Sequence, residues 1–438
     1  MNMKRTEIQN LKAGKKVCIH AWVDTIRDKK AIQFIVLRDR SGKVQMTVHK
    51  EKLPEVARIF ETILTDSTVI VHGKVMANPS VIMGGMEIIP THVELTSSAA
   101  VMPIDENSAV DLRMDYRFLD LRDRKKLLVF QIQTITLKAI RDWFVKKNFV
   151  EIMTPKITGA GAEGGSEVFE VKYFERKAYL TQSPQLFKQM GIAAGFEKVF
   201  EIGANYRAEK SHTSRHATEF FALDVEMGFI NDEHDIMDVE EEMLRYVFTV
   251  VAKECSEKLT ELGVELIVPK TKFPRITLLE AYDLLEKERG YIVPKASKGD
   301  LDPEAERLLC EISKEKFGSE FIFITEYPSS ARVFYIMRKP QIDKNGPLVT
   351  RGFDLLYKGV ELTSGGQREH NPETLRQNMR LKGMNESDLE FYINFFEYGC
   401  PPHGGFALGI ARLVARMLDL PSVKDATFLF RGPDRLEP

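Results

Sequence analysis

The chain has 438 residues, 43% of them hydrophobic and 29% charged, with a formal net charge of −2. That length accommodates about two to four domains and a large core. The balanced charge excludes a histone-like coat of basic side chains but leaves room for a local basic groove that binds nucleic acid. Cys18, Cys255, Cys310 and Cys400 stand far apart, with no CxxC pair, and read as free thiols of a reducing cytosol. The start, MNMKRTEIQN, lacks an apolar signal segment, and no run of 18 apolar residues occurs. The expected location is therefore the cytoplasm, away from any membrane.

The N-terminal part is strand-rich. KVCIHAWV (16–23) alternates, with Val17, Ile19, Ala21 and Val23 on one face. AIQFIVLRDRSGKVQMTV (31–48) predicts two strands joined by a turn at Ser41-Gly42. EKLPEVARIFETIL (51–64) changes to helical spacing, and STVIVHGKV (67–75) and MEIIPTHVEL (86–95) return to strand. Three strands, a helix and two strands is the order of an OB-fold, a small barrel that often binds oligonucleotides. An SH3-like or unrelated five-stranded barrel fits the same pattern. SSAAVMPIDENSAVD (97–111) is small and polar, as a linker would be.

Beyond it the texture changes. LLVFQIQTITLKAIRDWFVKKN (127–148) has long helical periodicity, and FVEIMTPKI (149–157) predicts a strand ending near Pro155. Strands and helices then mix without a regular βαβ alternation, which favours an α+β fold with an antiparallel sheet flanked by helices. The expected divisions are a barrel domain over 1–103, a linker or hinge over 104–130 and a second domain over 131–438.

GAGAEG (159–164) matches G-x-G-x-x-G, but the alternating strand SEVFEVKYF follows it, not a helix. A glycine-rich loop that closes over a site, carrying Glu163 or Glu167, is the better reading. VFEIGANYRAEKSHTSRHATEFFALDVEMGFI (199–230) predicts an antiparallel hairpin with a charged loop. Arg207 and Glu209 share a strand face, Arg215-His216 close the loop, and Phe220 opens the returning strand. Guanidinium groups at two depths beside an aromatic ring suit a nucleoside triphosphate. Arg207 would take the inner phosphate, Arg215 and His216 the outer one, and Phe220 the base.

Two further sites follow. RGFDLLYKGVELTSGGQREH (351–370) predicts a hairpin; with Tyr357-Lys358 as its loop, Asp354 and Glu361 face one another. Opposed carboxylates need a cation between them, and magnesium held with phosphate oxygens is the natural candidate. GGFALGIARLVARML (404–418) reads as a buried helix carrying Arg412, whose charge demands an acidic side chain or an anionic ligand.

Together these segments resemble the class II aminoacyl-tRNA synthetases. The strand near Pro155 is similar to their motif 1, Arg207-Ala208-Glu209 through Arg215-His216-Ala217 to motif 2, and Gly409-Ile410-Ala411-Arg412 to motif 3. DYRFLDLR (115–122) and the N-terminal barrel resemble the subclass for aspartate, asparagine and lysine. QSPQLFKQ (182–189) and SGGQREH (364–370) resemble its archaeal and eukaryotic aspartate-specific branch. The resemblance implies ATP bound by the motif 2 and motif 3 residues with Phe220 and Glu361. It implies catalysis by Arg207 and Arg412, and magnesium at Asp354, Glu361 and Ser364. It implies L-aspartate held by Glu167, Gln185, Lys188, Arg207, Asp224, Ser364 and Arg368. It also implies a homodimer through the motif 1 region, and an anticodon of tRNA-Asp read by the barrel through Arg27, Phe34 and Gln45. Ala411 stands where the family usually carries an acidic residue, and Lys29-Lys30 replace a common glycine. A relaxed enzyme that also charges tRNA-Asn, an asparagine-specific enzyme and a non-catalytic tRNA-binding paralogue are the alternatives.

Overall fold

The computed structural model describes residues 3–159, 167–210, 213, 215–341 and 348–438. The chain forms two compact units, 1–124 and 125–438. In the first, β1 (Lys16–Asp28), β2 (Ile32–Asp39), β3 (Gly42–His49), β4 (Thr68–Ala77) and β5 (Met86–Ser97) close into a barrel in the order β1-β2-β3-β5-β4. Helix α1 (Pro54–Thr62) lies between β3 and β4 in sequence and starts on a proline whose missing N–H costs a first turn nothing. Alternation fills the interior: Val17, Ile19, Val23, Ile35, Leu37, Met46 and Val71 are buried together. Two short helices, α2 (Val110–Asp115) and α3 (Arg117–Asp120), complete this unit.

The second unit opens with α4 (Arg124–Lys146), β6 (Val150–Glu151) and a small sheet of β7 (Ile157–Thr158), β8 (Glu170–Tyr173) and β9 (Arg176–Leu180). Helix α5 (Gln185–Ala193) leads into the hairpin β10 (Lys198–Tyr206) and β11 (Glu219–Gly228). After α6 (Glu233–Glu254) and α7 (Ser256–Leu262) come β12 (Arg275–Thr277), α8 (Leu278–Arg289), α9 (Pro303–Phe317) and β13 (Phe321–Thr325). The hairpin β14 (Gly352–Tyr357) and β15 (Val360–Arg368), helices α10 (Pro372–Leu381) and α11 (Glu390–Glu397), β16 (His403–Gly409) and α12 (Ile410–Met417) finish the chain. The large strands form one eight-stranded sheet, β12-β13-β14-β15-β16-β11-β10-β6, parallel only at its two edge pairs.

Side-chain alternation divides this sheet into a core face and an open face. Phe200, Leu223, Val225, Leu355, Phe406 and Leu408 pack with Ile140 and Phe144 of α4, Leu244 and Phe248 of α6 and Leu413 of α12. The opposite face carries the polar residues described below.

Three sequence expectations change. Residues 403–409 are a strand, and the helix holds only Ile410–Met417. A central strand buried on both faces has a continuous apolar run, as a buried helix does, so periodicity does not separate them. The glycines mark the strand: a Cβ on Gly405 would sit 1.8 Å from the Val225 carbonyl oxygen and 2.5 Å from the Glu226 carboxylate. The single strand expected over 149–157 is two short ones, β6 and β7, in different sheets on either side of Pro155. The hairpin loop is Lys358-Gly359, both at positive φ (44° and 80°), as a two-residue hairpin turn prefers. A bulge between Leu355 and Leu356 then sets Asp354 opposite Ser364, and Glu361 opposite Leu356.

The Gly405→Ala variant forces apart two paired strands. It is expected to lose more than about 3 kcal/mol of stability, read as a lowered thermal midpoint, whereas an unchanged midpoint contradicts the close approach.

Candidate active site

Directly paired residues of a sheet share a face, so the strand register draws the site. One row runs Asp354, Ser364, Ala407, Asp224, Glu201 across five strands. Along β11 the same face carries Phe220, Ala222, Asp224 and Glu226, a span of about 20 Å at ~3.3 Å per residue. Beside it β16 offers Gly409, Ala407 and Gly405, β15 offers Ser364, Gly366 and Arg368, and β10 offers Asn205 and Gly203. Small residues in the middle and charged ones at the ends make a track for an elongated ligand.

One end is a cavity of about 600 Å³. Arg207, Glu209, Arg215, His216, Ala217, Phe220, Glu361, Ser364, Gly409, Ile410, Ala411 and Arg412 line it, as do Arg431 and Asn205, which sequence reasoning missed. Arg207 continues the hairpin ladder, its N–H donating to the Thr218 carbonyl at 2.9 Å. Its guanidinium lies 5.5 Å from the centre of the Phe220 ring and 3.8 Å from Glu209. Ala208 does not line the cavity; its N–H donates to the Glu167 carbonyl at 3.0 Å, tying the exposed Glu167 to the hairpin. Glu163 lies outside the described residues.

Arg215 donates to Glu306 Oε2 of α9 at 2.7 Å and to the Gly359 carbonyl at 3.0 Å. Glu306, also missed, accepts the Glu361 N–H at 3.2 Å. Arg412 donates to the Glu361 carbonyl at 2.6 Å, with the Glu361 carboxylate at 4.0 Å. Burial and then the nearby Arg412 hold the His216 imidazole below its ordinary range. Burial and the nearby Asp354 carboxylate push Glu361 up to about 7, although its side chain opens to the cavity, 42% exposed. The Asp354 part of that shift is a negative potential that a cation would relieve.

Asp354 itself is buried and already neutralised by Arg332, which also donates to Ser364 Oγ at 3.3 Å and stacks on Tyr327 at 3.7 Å. Arg332, in SSARVFY, carried no periodic signal to mark it. Among the described residues no group of three His, Cys, Asp or Glu is arranged to hold a metal alone. Glu361 and Ser364 fit a magnesium ion whose other ligands are phosphate oxygens, since that ion needs only one or two carboxylates from protein.

At the other end Lys188, Asp224, Glu226 and Arg368 are all buried. Lys188 Nζ lies 3.1 Å from Asp224, 3.5 Å from Glu226 and 3.4 Å from the Phe406 carbonyl. Arg368 donates to Glu226 at 3.0 Å and to the Gly405 carbonyl at 2.9 Å. Burial raises the Asp224 carboxyl against the pull of Lys188. Burial also works to raise Glu226, but Arg368 and Lys188 outweigh it and hold Glu226 below the ordinary range. Sequence reasoning missed Glu226, although its i, i+2 spacing from Asp224 was the available signal. Gln185 is buried one turn before Gln189 on α5.

In the barrel, Arg27 pairs with Phe34 and Phe34 with Thr47, while Gln45 lies two residues from Thr47 on the same face. Phe34 stands outside the barrel core, whose β2 positions are Ile35 and Leu37. Glu87 hydrogen-bonds Thr47 and lies 3.4 Å from Gln45 on this face.

Residues 109–431 match the family described as tRNA synthetases class II (D, K and N), and residues 17–96 match the OB-fold nucleic acid binding domain. The chain is 42% identical to an aspartate–tRNA(Asp) ligase of Pyrococcus abyssi, over 99% of this chain and 98% of that one. It is 43% identical to an aspartate–tRNA(Asp/Asn) ligase of Methanopyrus kandleri, over 97% and 96%. It superimposes on an asparaginyl-tRNA synthetase of Pyrococcus horikoshii complexed with asparaginyl-adenylate with a TM-score of 0.91, at 32% identity, covering 99% of this chain and all of the other.

Glu240 of α6 lies under the site, where it accepts from Thr363 at 2.5 Å. Burial first, and Asp354 after it, push its carboxyl up to about 8. The folded protein thus keeps a proton that the unfolded chain releases above 4.5, so stability falls as pH rises from about 4.5 to about 8. Glu240→Gln is expected to remove up to about 1.4 kcal/mol per pH unit of that slope and to raise the thermal midpoint at pH 8.5. Parallel melting curves for parent and variant across this range contradict the assignment.

Proposed function

The chain belongs to the class II tRNA synthetases of the D, K and N group, and from that premise we propose that it is an aspartate–tRNA ligase. It activates L-aspartate with ATP to aspartyl-adenylate and pyrophosphate, then passes the aspartyl group to the 3′ end of tRNA-Asp. The observation that carries this reading is the buried cation pair, Lys188 and Arg368, at the inner end of the track. A side-chain carboxylate gains from two cations there, whereas a neutral amide gains little.

In the proposed mechanism Phe220 stacks on adenine, and Arg215, His216 and Arg412 gather the outer phosphates. Arg215 exchanges Glu306 for phosphate oxygens as it does so. Arg207 lines the cavity at the outer end of the track, and its guanidinium would reach from the α-phosphate to the substrate carboxylate. Asp224, Gln185 and Glu167 hold the α-ammonium. The α-carboxylate, already an anion, attacks phosphorus in line as pyrophosphate leaves, so no general base is required. Catalysis is positioning plus charge stabilisation by Arg207 and Arg412. Glu361 and Ser364 would hold magnesium, which supplies charge neutralisation to the phosphates. Asp354 contributes through Arg332.

The barrel is proposed as the anticodon-binding domain, with Arg27, Phe34 and Gln45 on one outer face. A homodimer through the motif 1 region is supported by apolar exposure at Val145, Val150 and Met153. No helix among the described residues is long and apolar enough to cross a membrane, and we place the enzyme in the cytoplasm. Charging of tRNA-Asn as a second acceptor is favoured by the relatives that carry that name, and aspartylation of the two purified tRNAs decides it.

ATP–pyrophosphate exchange measured with aspartate and asparagine in parallel tests the amino-acid assignment. Aspartate is expected to dominate, and Lys188→Leu to raise the aspartate KM far more than the ATP KM. Faster exchange with asparagine overturns the reading. Phe34→Ala is expected to leave exchange untouched and to weaken tRNA binding by about 1–3 kcal/mol. Unchanged tRNA charging removes the barrel face from the interface.

A further inference from the structure

A hydrogen-bond chain of fixed direction runs behind the cation pair. Gln185 and Gln189 are both buried on α5, and Gln185 Nε2 donates to Gln189 Oε1 at 2.9 Å. The Tyr392 hydroxyl of α11 donates to the same oxygen at 3.1 Å. Gln189 Nε2 lies 2.9 Å from His403 Nε2 at the start of β16. His403 Nδ1 lies 2.9 Å from the Pro401 carbonyl, and the imidazole stacks on Phe396 with ring centres 5.9 Å apart.

An isolated amide can be placed either way round, but this chain permits one arrangement. The Pro401 carbonyl only accepts, so His403 carries its hydrogen on Nδ1; Cys400 Sγ, 3.7 Å away, is a weak acceptor for it. Burial pushes the imidazole down to about 4, so the ring is neutral at pH 7 and Nε2 is bare. A bare Nε2 is satisfied only by an N–H, which turns the Gln189 amino group toward it and the Gln189 oxygen toward Tyr392 and Gln185. Gln185 must then spend an N–H on that oxygen. Its own Oε1 is the free end, and among the described residues it receives no donor.

We propose that His403, Gln189 and Tyr392 are positioning residues that lock the Gln185 amide with its oxygen toward the α-ammonium of the bound amino acid. This rests on the reading of Gln185 as an ammonium ligand. The reversed Gln185 amide would present N–H groups to a cation and set its oxygen against the Gln189 oxygen, two acceptors opposed. No lysine or carboxylate is needed for this selection. Orientation alone does it, relayed over three elements from one backbone carbonyl.

The test compares two adenylate mimics, aspartyl-sulfamoyl-adenosine and its analogue lacking the α-amino group, by calorimetry on the full-length protein. Both bind through adenosine, so the ratio of their dissociation constants isolates the ammonium contact. In Gln189→Met, which neither donates nor accepts strongly, that ratio is expected to fall about tenfold while the desamino mimic binds as before. Tyr392→Phe, which keeps the shape, is expected to lower it in the same direction by a smaller factor, and it carries the test if Gln189→Met does not fold. Proportional weakening of both mimics, or an unchanged ratio, overturns the relay. Gln185→Ala separates the two levels. A ratio that falls there but not in the relay variants removes the relay and keeps the ammonium ligand, and a ratio unchanged in every variant removes both.

Discussion

Four ionisable side chains, Lys188, Arg368, Asp224 and Glu226, are buried beside one another at the inner end of the sheet. Each would cost several kcal/mol in isolation, so none can be kept without the others. Their balance also decides how they receive a substrate. Arg368 and Glu226 are bound closely, with Glu226 held low. Asp224 sits higher, and Lys188 divides its attention between two carboxylates and a backbone carbonyl. On the proposed reading Asp224 and Lys188 are the pair that opens to substrate, one to an incoming ammonium and the other to an incoming carboxylate. On that reading the ammonium and the side-chain carboxylate of aspartate replace those contacts in kind, while its α-carboxylate adds a negative charge that falls to Arg207.

The sheet carries this arrangement because its two faces have opposite work. The core face is filled with Phe, Leu and Val against three helices. The open face is nearly bare at Ala222, Ala407 and Gly409, which line the cavity and leave room for a ligand. Glycine in β16 also lets three strands approach more closely than side chains allow. The cavity arginines therefore gather at one end of the track and the buried quartet at the other, on one continuous sheet.

Features governed by local chemistry were legible in the sequence. Barrel strands follow from alternation, and the β10–β11 hairpin from apolar arms around a charged loop. Arg207, Arg215 and Arg412 follow from cations that need an anion, and Phe220 from the aromatic ring beside them. Features set by tertiary packing were not. Residues 403–409 look like the start of the following helix because both faces of that strand are buried. The bulge at Leu355-Leu356 shifts Asp354 by one partner, which no turn signal announces. Arg332, Glu306 and Arg431 come from loops and a distant helix, and only the fold brings them to the site. Glu226 was hidden by its spacing within an apolar strand, where a single carboxylate looks like noise until its cations are known.

On the proposed reading one track binds a nucleotide at one end and a dicarboxylic amino acid at the other. A crystal structure with aspartyl-sulfamoyl-adenosine tests it most directly. The ligand side-chain carboxylate is expected within hydrogen-bond distance of both Lys188 and Arg368, with adenine on Phe220 and the sulfamoyl group at Arg207. A ligand whose carboxylate lies away from that cation pair, with the quartet's ion pairs undisturbed, would contradict it.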